Sequence, residues 1–435
     1  MDRLDIGLIC VAISLVMLVI RIPIGLTLIS VSFMGIASLA SWNAAGGVLS
    51  SIPYSFAASW ELSAVPMFLL MGYAAARGQL TNGLFGSMRI LLNWMPGNLA
   101  VASVSASALF AAASGSSVAT SAALARIAVP EMLKAKYDKS LATGTIAAAG
   151  TLGALIPPSL LMVVYGIFTN TAIGPLFIAG IVPGILTALA FITMIIVRVW
   201  LKPSLAPKHA EKVGPRELRQ ALMGAWPLPL LVLSVLGTIM MGIATPTEAG
   251  ALGAGMAVLL AMLRRTMNLR MLFEALRDTA ISTCTIFLIS IGAAMFQRLL
   301  GMSQLPTVFA ENVLSISDNF YVIIFFIAVM YLILGMFLES IGIMLLTLPV
   351  LMPLLVHFDV SMIWFCIIVV KLLEIGMVTP PLGLNVYVVK SALGKEVDLV
   401  TVFRGAGWFV VTDLIVLSVL VAFPIITLFL PNIMS

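Results

Sequence analysis

The chain has 435 residues, 61% of them hydrophobic and 9% charged, with a mean hydropathy of +1.16. That balance excludes a water-soluble globular protein and places most of the polypeptide in lipid. A formal net charge of +5 would suggest a nucleic-acid partner in a soluble chain, but here the basic residues gather in short connections between apolar runs, as in the cytoplasmic loops of membrane proteins.

The runs 6–20, 22–40, 177–197, 228–243, 278–297 and 406–430 each approach or exceed the length a helix needs to cross about 30 Å of hydrocarbon. The first lacks a basic leader and a small-residue cleavage site, so it reads as a retained span rather than a signal peptide. With the N-terminus outside, 6–20 crosses inward past Arg21, 22–40 crosses outward, and 62–78 returns, leaving Arg77 and Arg89 inside. Segment 98–128 then enters and leaves from the inside. Its arms are separated by Ala113-Ser114-Gly115-Ser116-Ser117, a small, polar sequence suited to the tip of a re-entrant hairpin buried in protein.

From the basic connection Arg126, Lys134, Lys136, Lys139 the chain crosses outward through "GALIPPS" (153–159), and 177–197 brings it back to Arg198, Lys202, Lys208, Lys212, Arg216 and Arg219. The same plan then repeats upside down. Segments 224–243 and 247–263 form a pair ending at Arg264, Arg265, Arg270 and Arg277. Next, 278–300 crosses outward, 320–353 forms a hairpin from outside, 361–392 crosses inward to Lys390, Lys395 and Arg404, and 406–430 exits. All 23 Lys and Arg except Arg3, Arg298 and Lys371 then lie inside, as the positive-inside rule requires.

An offset of 223 residues carries Pro23 to Pro246, Ser117 to Ser340, Pro130 to Pro353, Gly153 to Gly376 and Pro157-Pro158 to Pro380-Pro381. Inverted repeats with paired broken helices point to a secondary transporter. The expected fold is therefore an all-α polytopic membrane protein of two inverted repeats, each with a re-entrant hairpin and a broken helix.

The breaks have a physical meaning. Proline lacks an N–H and clashes with the preceding turn, which frees carbonyls that cannot stay unsatisfied in hydrocarbon. A hard cation such as Na⁺ is one partner, since it favours oxygen ligands and the C-terminal end of a half-helix carries partial negative charge. The pattern predicts one cation site from Ser114, Ser116, Gly153, Ile156 and Pro158, and a second from Gly335, Gly376, Thr379 and Pro381, using backbone oxygens except at Ser and Thr.

Several blocks together resemble one family: "AVPMFLLMG" (64–72), "ASGSSVATSAAL" (113–124), "GTLGALIPPS" (150–159), "ATPTEAGALGA" (244–254), "LGMFLESIGIMLLTLPVLMPLL" (334–355) and "GMVTPPLGLN" (376–385). They are similar to the large membrane subunit of tripartite ATP-independent periplasmic (TRAP) transporters, the DctM-like family. The resemblance implies a bacterial or archaeal inner-membrane importer of elevator type, coupled to Na⁺ and needing no organic cofactor. It implies two protein partners, a small four-helix membrane subunit and a periplasmic substrate-binding protein, and a small organic anion as substrate.

Domain organisation follows: 1–97 scaffold helices and arm of repeat 1; 98–170 first half of the transport domain; 171–319 scaffold, cytoplasmic loop and arm of repeat 2; 320–392 second transport half; 393–435 a C-terminal connection and helix. Both termini are expected in the periplasm. Relatives that take up sialic acid are similar in placing an arginine near Arg298, so Arg298, with Ser117 and Asn385, is the expected substrate set. Gln297 is a weaker neighbour. An arginine can grip a carboxylate in bidentate fashion, but one near a helix end can also snorkel to the interface.

Lys371 and Glu374, three residues apart, are expected to pair with each other. Glu339 is expected to order the second tip or help set its cation site. His209 and His357 lie in connections and suggest no proton relay, the three cysteines Cys10, Cys284 and Cys366 read as separately buried, and the many Met read as packing. HExxH and GxxxxGK[ST] patterns are absent from the sequence, against an intramembrane protease or an ATPase. A channel and an ion-coupled dicarboxylate carrier that works without a binding protein are the rival readings.

Overall fold

The computed structural model describes residues 2–81, 83–207, 213–394 and 396–434; Lys208, His209, Lys212 and Lys395 fall outside them. Every regular element among the described residues is helical. Among the described residues six helices are long and apolar enough to cross a membrane, eight if each of two bent pairs is one span.

The repeat seen in the sequence is a repeat of elements. The first hairpin has arms Asn98–Ser114 and Ser117–Lys134, and the second Phe320–Gly335 and Ser340–His357. The second arms coincide residue for residue at the same offset. The first broken helix runs Lys139–Ala149, Leu152–Leu155 and Leu160–Thr169; the second runs Met362–Gly376 and Leu384–Leu393. The helices that follow, Ile173–Leu201 and Leu399–Ala422, are also counterparts.

The repeats exchange partners rather than packing as separate units. Ile24–Leu39 of repeat 1 lies along Leu269–Ser303 of repeat 2, where a Cβ on Gly292 would come within 2.8 Å of Gly25 O. Its counterpart Pro246–Leu263 lies along Ala64–Arg77, with Gly253 against Met71. Between the first broken helix and the C-terminal helix, Lys139–Ala149 meets Leu399–Ala422 so closely that a Cβ on Gly144 would strike the backbone of Gly405, and one on Gly405 the backbone of Ser140. Small residues at such crossings bring backbones into van der Waals contact, the usual means of helix association in lipid.

One symmetry is broken. In repeat 2 the arm and the crossing helix form a single 35-residue helix, Leu269–Ser303; in repeat 1 the corresponding Trp42–Ala57 and Glu61–Arg77 are bent by 62° at the intervening residues 58–60. Only Ala45 is buried in Trp42–Ala57, so this helix lies on the surface, and its glycines and serines give no apolar run by which to find it.

Candidate functional site

At the first break, Pro157 and Pro158 stand four residues after Gly153 and Ala154 and withhold the N–H groups those carbonyls would accept in a helix. Among the described residues no hydrogen-bond donor reaches the carbonyls of Gly153, Ile156 or Pro158. Pro157 and Pro158 are buried, and Ile156 is half-buried. The first hairpin tip closes on them. Gly115 turns in the left-handed region at φ 60°, which glycine adopts without steric cost, and Leu160 N–H reaches back to Gly115 O at 3.5 Å. A Cβ on Gly153 would lie 2.6 Å from Ser116 O and 2.9 Å from Ser117 N. Ser114 Oγ sits 2.9 Å from Thr120 Oγ1, which also donates to Ser116 O at 2.8 Å. Of the five positions expected at the first site, Ser114, Ser116, Gly153 and Pro158 come together where tip and break interlock, while the Ile156 side chain lies against Gly184.

The second break is built differently. Gly335 and Gly376 touch, and a Cβ on Gly376 would fall 2.7 Å from Gly335 Cα. The Gly376 carbonyl, which Pro380 deprives of its helical donor, takes Thr379 N–H at 3.1 Å, and Met377 O takes Asn385 N–H at 3.0 Å. Thr379 Oγ1 donates to Ile375 O of its own helix at 2.6 Å. Pro380, Pro381 and Leu382 are exposed. The structure thus joins Gly335 to Gly376, and leaves Thr379 and Pro381 on an open turn. A carbonyl that accepts one N–H keeps a second lone pair, so Gly376 remains able to face an ion.

Two cavities lie beside the breaks. A cleft of about 90 Å³ between the tips is lined by Ser116, Ser117, Glu339, Ser340 and Glu374 among others. Across it Ser117 Oγ donates to Glu374 Oε2 at 2.5 Å. The larger cavity, about 370 Å³, separates the tips from Ala64–Arg77 and Leu269–Ser303, with Ser114, Ser116 and Glu339 on one wall and Gly72, Tyr73, Ser282 and Thr285 on the other. Tyr73 and Ser282 join their hydroxyls at 2.7 Å. Neither lining includes a Lys or Arg.

Of the expected substrate residues, Ser117 lines the inter-tip cleft. Asn385 is fully buried just behind it, donating to Ala147 O at 3.5 Å with its Oδ1 unpartnered among the described residues. Arg298 is not brought to either cavity. It is exposed and shares a separate depression with Ile52 and Gln297, about 24 Å along the helix from Ser282 at 1.5 Å per residue.

The expected Lys371–Glu374 pair does not form. Lys371 Nζ bonds the Asp413 carboxylate and Thr187 Oγ1 (3.0 Å) and lies over the Phe191 ring at 5.8 Å, while Glu374 turns to Ser117. Although the two share a helix, each faces a different neighbouring element, and the tertiary partners win. Asp413 was missed, yet the sequence held a signal: it is the only charged residue between 405 and 435, and a lone ionisable group within a span marks a paired or functional position.

Residues 11–426 match the family described as "Tripartite ATP-independent periplasmic transporter, DctM component". The chain belongs to the DctM family. Among its relatives, the sialic acid TRAP transporter large permease protein SiaM of Vibrio cholerae is 32% identical over 94% of this chain and 95% of its own length. The C4-dicarboxylate TRAP transporter large permease protein DctM of Pseudomonas aeruginosa is 34% identical over 86% of each. The YdaH transporter of Alcanivorax borkumensis shares the fold at a TM-score of 0.61 and 16% identity, covering 88% of this chain and 89% of that one. This DctM protein is accordingly a multi-pass membrane permease, one component of a tripartite transporter, and its relatives are permeases rather than enzymes.

Proposed function

We propose that this DctM protein is the Na⁺-coupled large subunit of an inner-membrane importer of a small organic anion, a carboxylate or a sugar acid such as sialic acid. It works with a small four-helix membrane subunit and a periplasmic binding protein that delivers the ligand. The carrying observation is the pairing of each helix break with a hairpin tip, with carbonyls of Gly153, Ile156 and Pro158 at the first that no donor among the described residues reaches. Together with Ser114 and Ser116 these make an oxygen-only cage of the kind alkali cations take; Gly335, Gly376, Thr379 and Pro381 form the second.

The charge of the cavities supports coupling. Their walls carry Glu339 and Glu374 and no basic side chain. An anion placed there alone would be desolvated beside carboxylates, so cations must already be in place before it binds. Ser117 and Asn385 provide polar contacts to it. Halves 98–170 and 320–392 move against the scaffold as the elevator, with both chain termini in the periplasm. On that orientation the cavity lies toward the cytoplasmic ends of Ala64–Arg77 and Leu269–Ser303, the arrangement for release.

In proteoliposomes, Ser114→Ala is expected to raise the Na⁺ concentration for half-maximal uptake by roughly tenfold. An unchanged Na⁺ dependence would remove Ser114 from the ligand set.

A further inference from the structure

The Lys371–Asp413 pair is left unused by the sites described above. Both residues are at most 2% exposed, as is Thr187. The pair joins three helices: Lys371 on Met362–Gly376, Asp413 on Leu399–Ala422 and Thr187 on Ile173–Leu201. Thr187 in turn donates to Pro183 O at 2.8 Å. Repeat 1 has no charge at the equivalent positions, since the offset of 223 residues places Ala148 and Ala190 opposite Lys371 and Asp413.

The asymmetry matches a second one. The first break is locked by packing, with Pro157, Pro158 and Ser159 buried under the hairpin tip; the second is open, with Pro380, Pro381 and Leu382 exposed. The half-helix that ends at Gly376 is itself buried from Trp364 onward, but the turn that follows it lacks the cover its counterpart enjoys. Lys371 lies five residues before Gly376, little more than one turn. A buried ion pair contributes little net stability over an apolar pair of the same size, but it specifies one arrangement of the elements it joins.

We propose that Lys371, Asp413 and Thr187 are positioning residues for the second cation site, fixing the rotation and depth of the half-helix whose end presents the Gly376 carbonyl to Gly335. Groups behind a metal's ligands set its affinity by holding those ligands in place. Here a cross-helix ion pair adds a fixed register to a packed half-helix whose following turn is uncovered.

The inference rests on the sodium-coupled reading, and the test separates the two. Removing one partner alone would strand a buried charge, so the pair is replaced together by Lys371→Met with Asp413→Leu. Uptake by the complete three-component transporter is measured against Na⁺ concentration, alongside thermal unfolding of the purified protein. The expected result is a rise of about tenfold in the Na⁺ concentration for half-maximal uptake, with little change in unfolding temperature. A folded double variant with the wild-type Na⁺ requirement overturns the inference, and a shift in unfolding temperature alone assigns the pair to stability and overturns it too. Should the double variant fail to fold, Thr187→Val, which removes one bond to Lys371 at nearly constant volume, is expected to raise the requirement about threefold, and no rise overturns the inference. Wild-type uptake that ignores Na⁺ overturns the coupling reading itself, and this proposal with it.

Discussion

Gly153 concentrates the design of the first site in one missing methyl group. A Cβ there would press on backbone atoms of Ser116 and Ser117, which cannot swing aside as a side chain would. Gly153→Ala is therefore expected to wedge the tip away from the break, costing about 1–3 kcal/mol by overpacking. Because a ligand that binds only the native state raises its unfolding temperature, the sharper readout is the Na⁺-induced rise in that temperature in detergent. The wild type should show it and Gly153→Ala should lose it; an equal rise in both would detach the cage from this contact. At this scale the sequence was readable wherever the chemistry is local. Two adjacent prolines repeated at one offset, and a Ser-Gly-Ser tip beside the first pair, marked where tip and break meet. It was unreadable where partners are distant: Asp413 is 42 residues from Lys371 and Ser117 is 257 from Glu374, and no spacing rule on a single helix reveals which neighbour a side chain faces.

Among elements, the hairpins and broken helices follow from composition, because their interruptions are written in proline, glycine and serine. The surface helix Trp42–Ala57 does not, since its glycines, serines and Pro53 mimic a loop. The two hairpins also bear on the scaffold at defined places. Gly72 of Ala64–Arg77 meets the backbone of Ala113 and Ser114, and Gly342 of the second hairpin meets Ile24 of Ile24–Leu39. If the hairpins travel while the scaffold stays, the second contact must break in every cycle. Cysteines replacing Ile24 and Gly342, in a background without Cys10, Cys284 and Cys366, are expected to cross-link under oxidation and stop uptake, with recovery on reduction. Full uptake by the cross-linked protein would mean that this hairpin does not move against the scaffold.

The whole molecule reads as two interleaved copies of one plan, made unequal where function asks for it. One arm is bent by 62° and the other straight; one break is buried and the other open; one repeat carries a cross-helix ion pair where the other has alanines. What unites them is the electrostatics of the central cavities, largely apolar in lining, whose charged groups are the carboxylates of Glu339 and Glu374 without a basic residue. On the reading proposed above, an organic anion would settle there only with cations beside it, which would make ion occupancy the condition for carriage. The most direct test is the initial rate of import of the cognate binding protein's ligand into proteoliposomes holding both membrane subunits, with an inward Na⁺ gradient and with Na⁺ replaced by choline. Accumulation above the external concentration with Na⁺, and almost none with choline, is the predicted result; equal import under the two conditions would contradict the account.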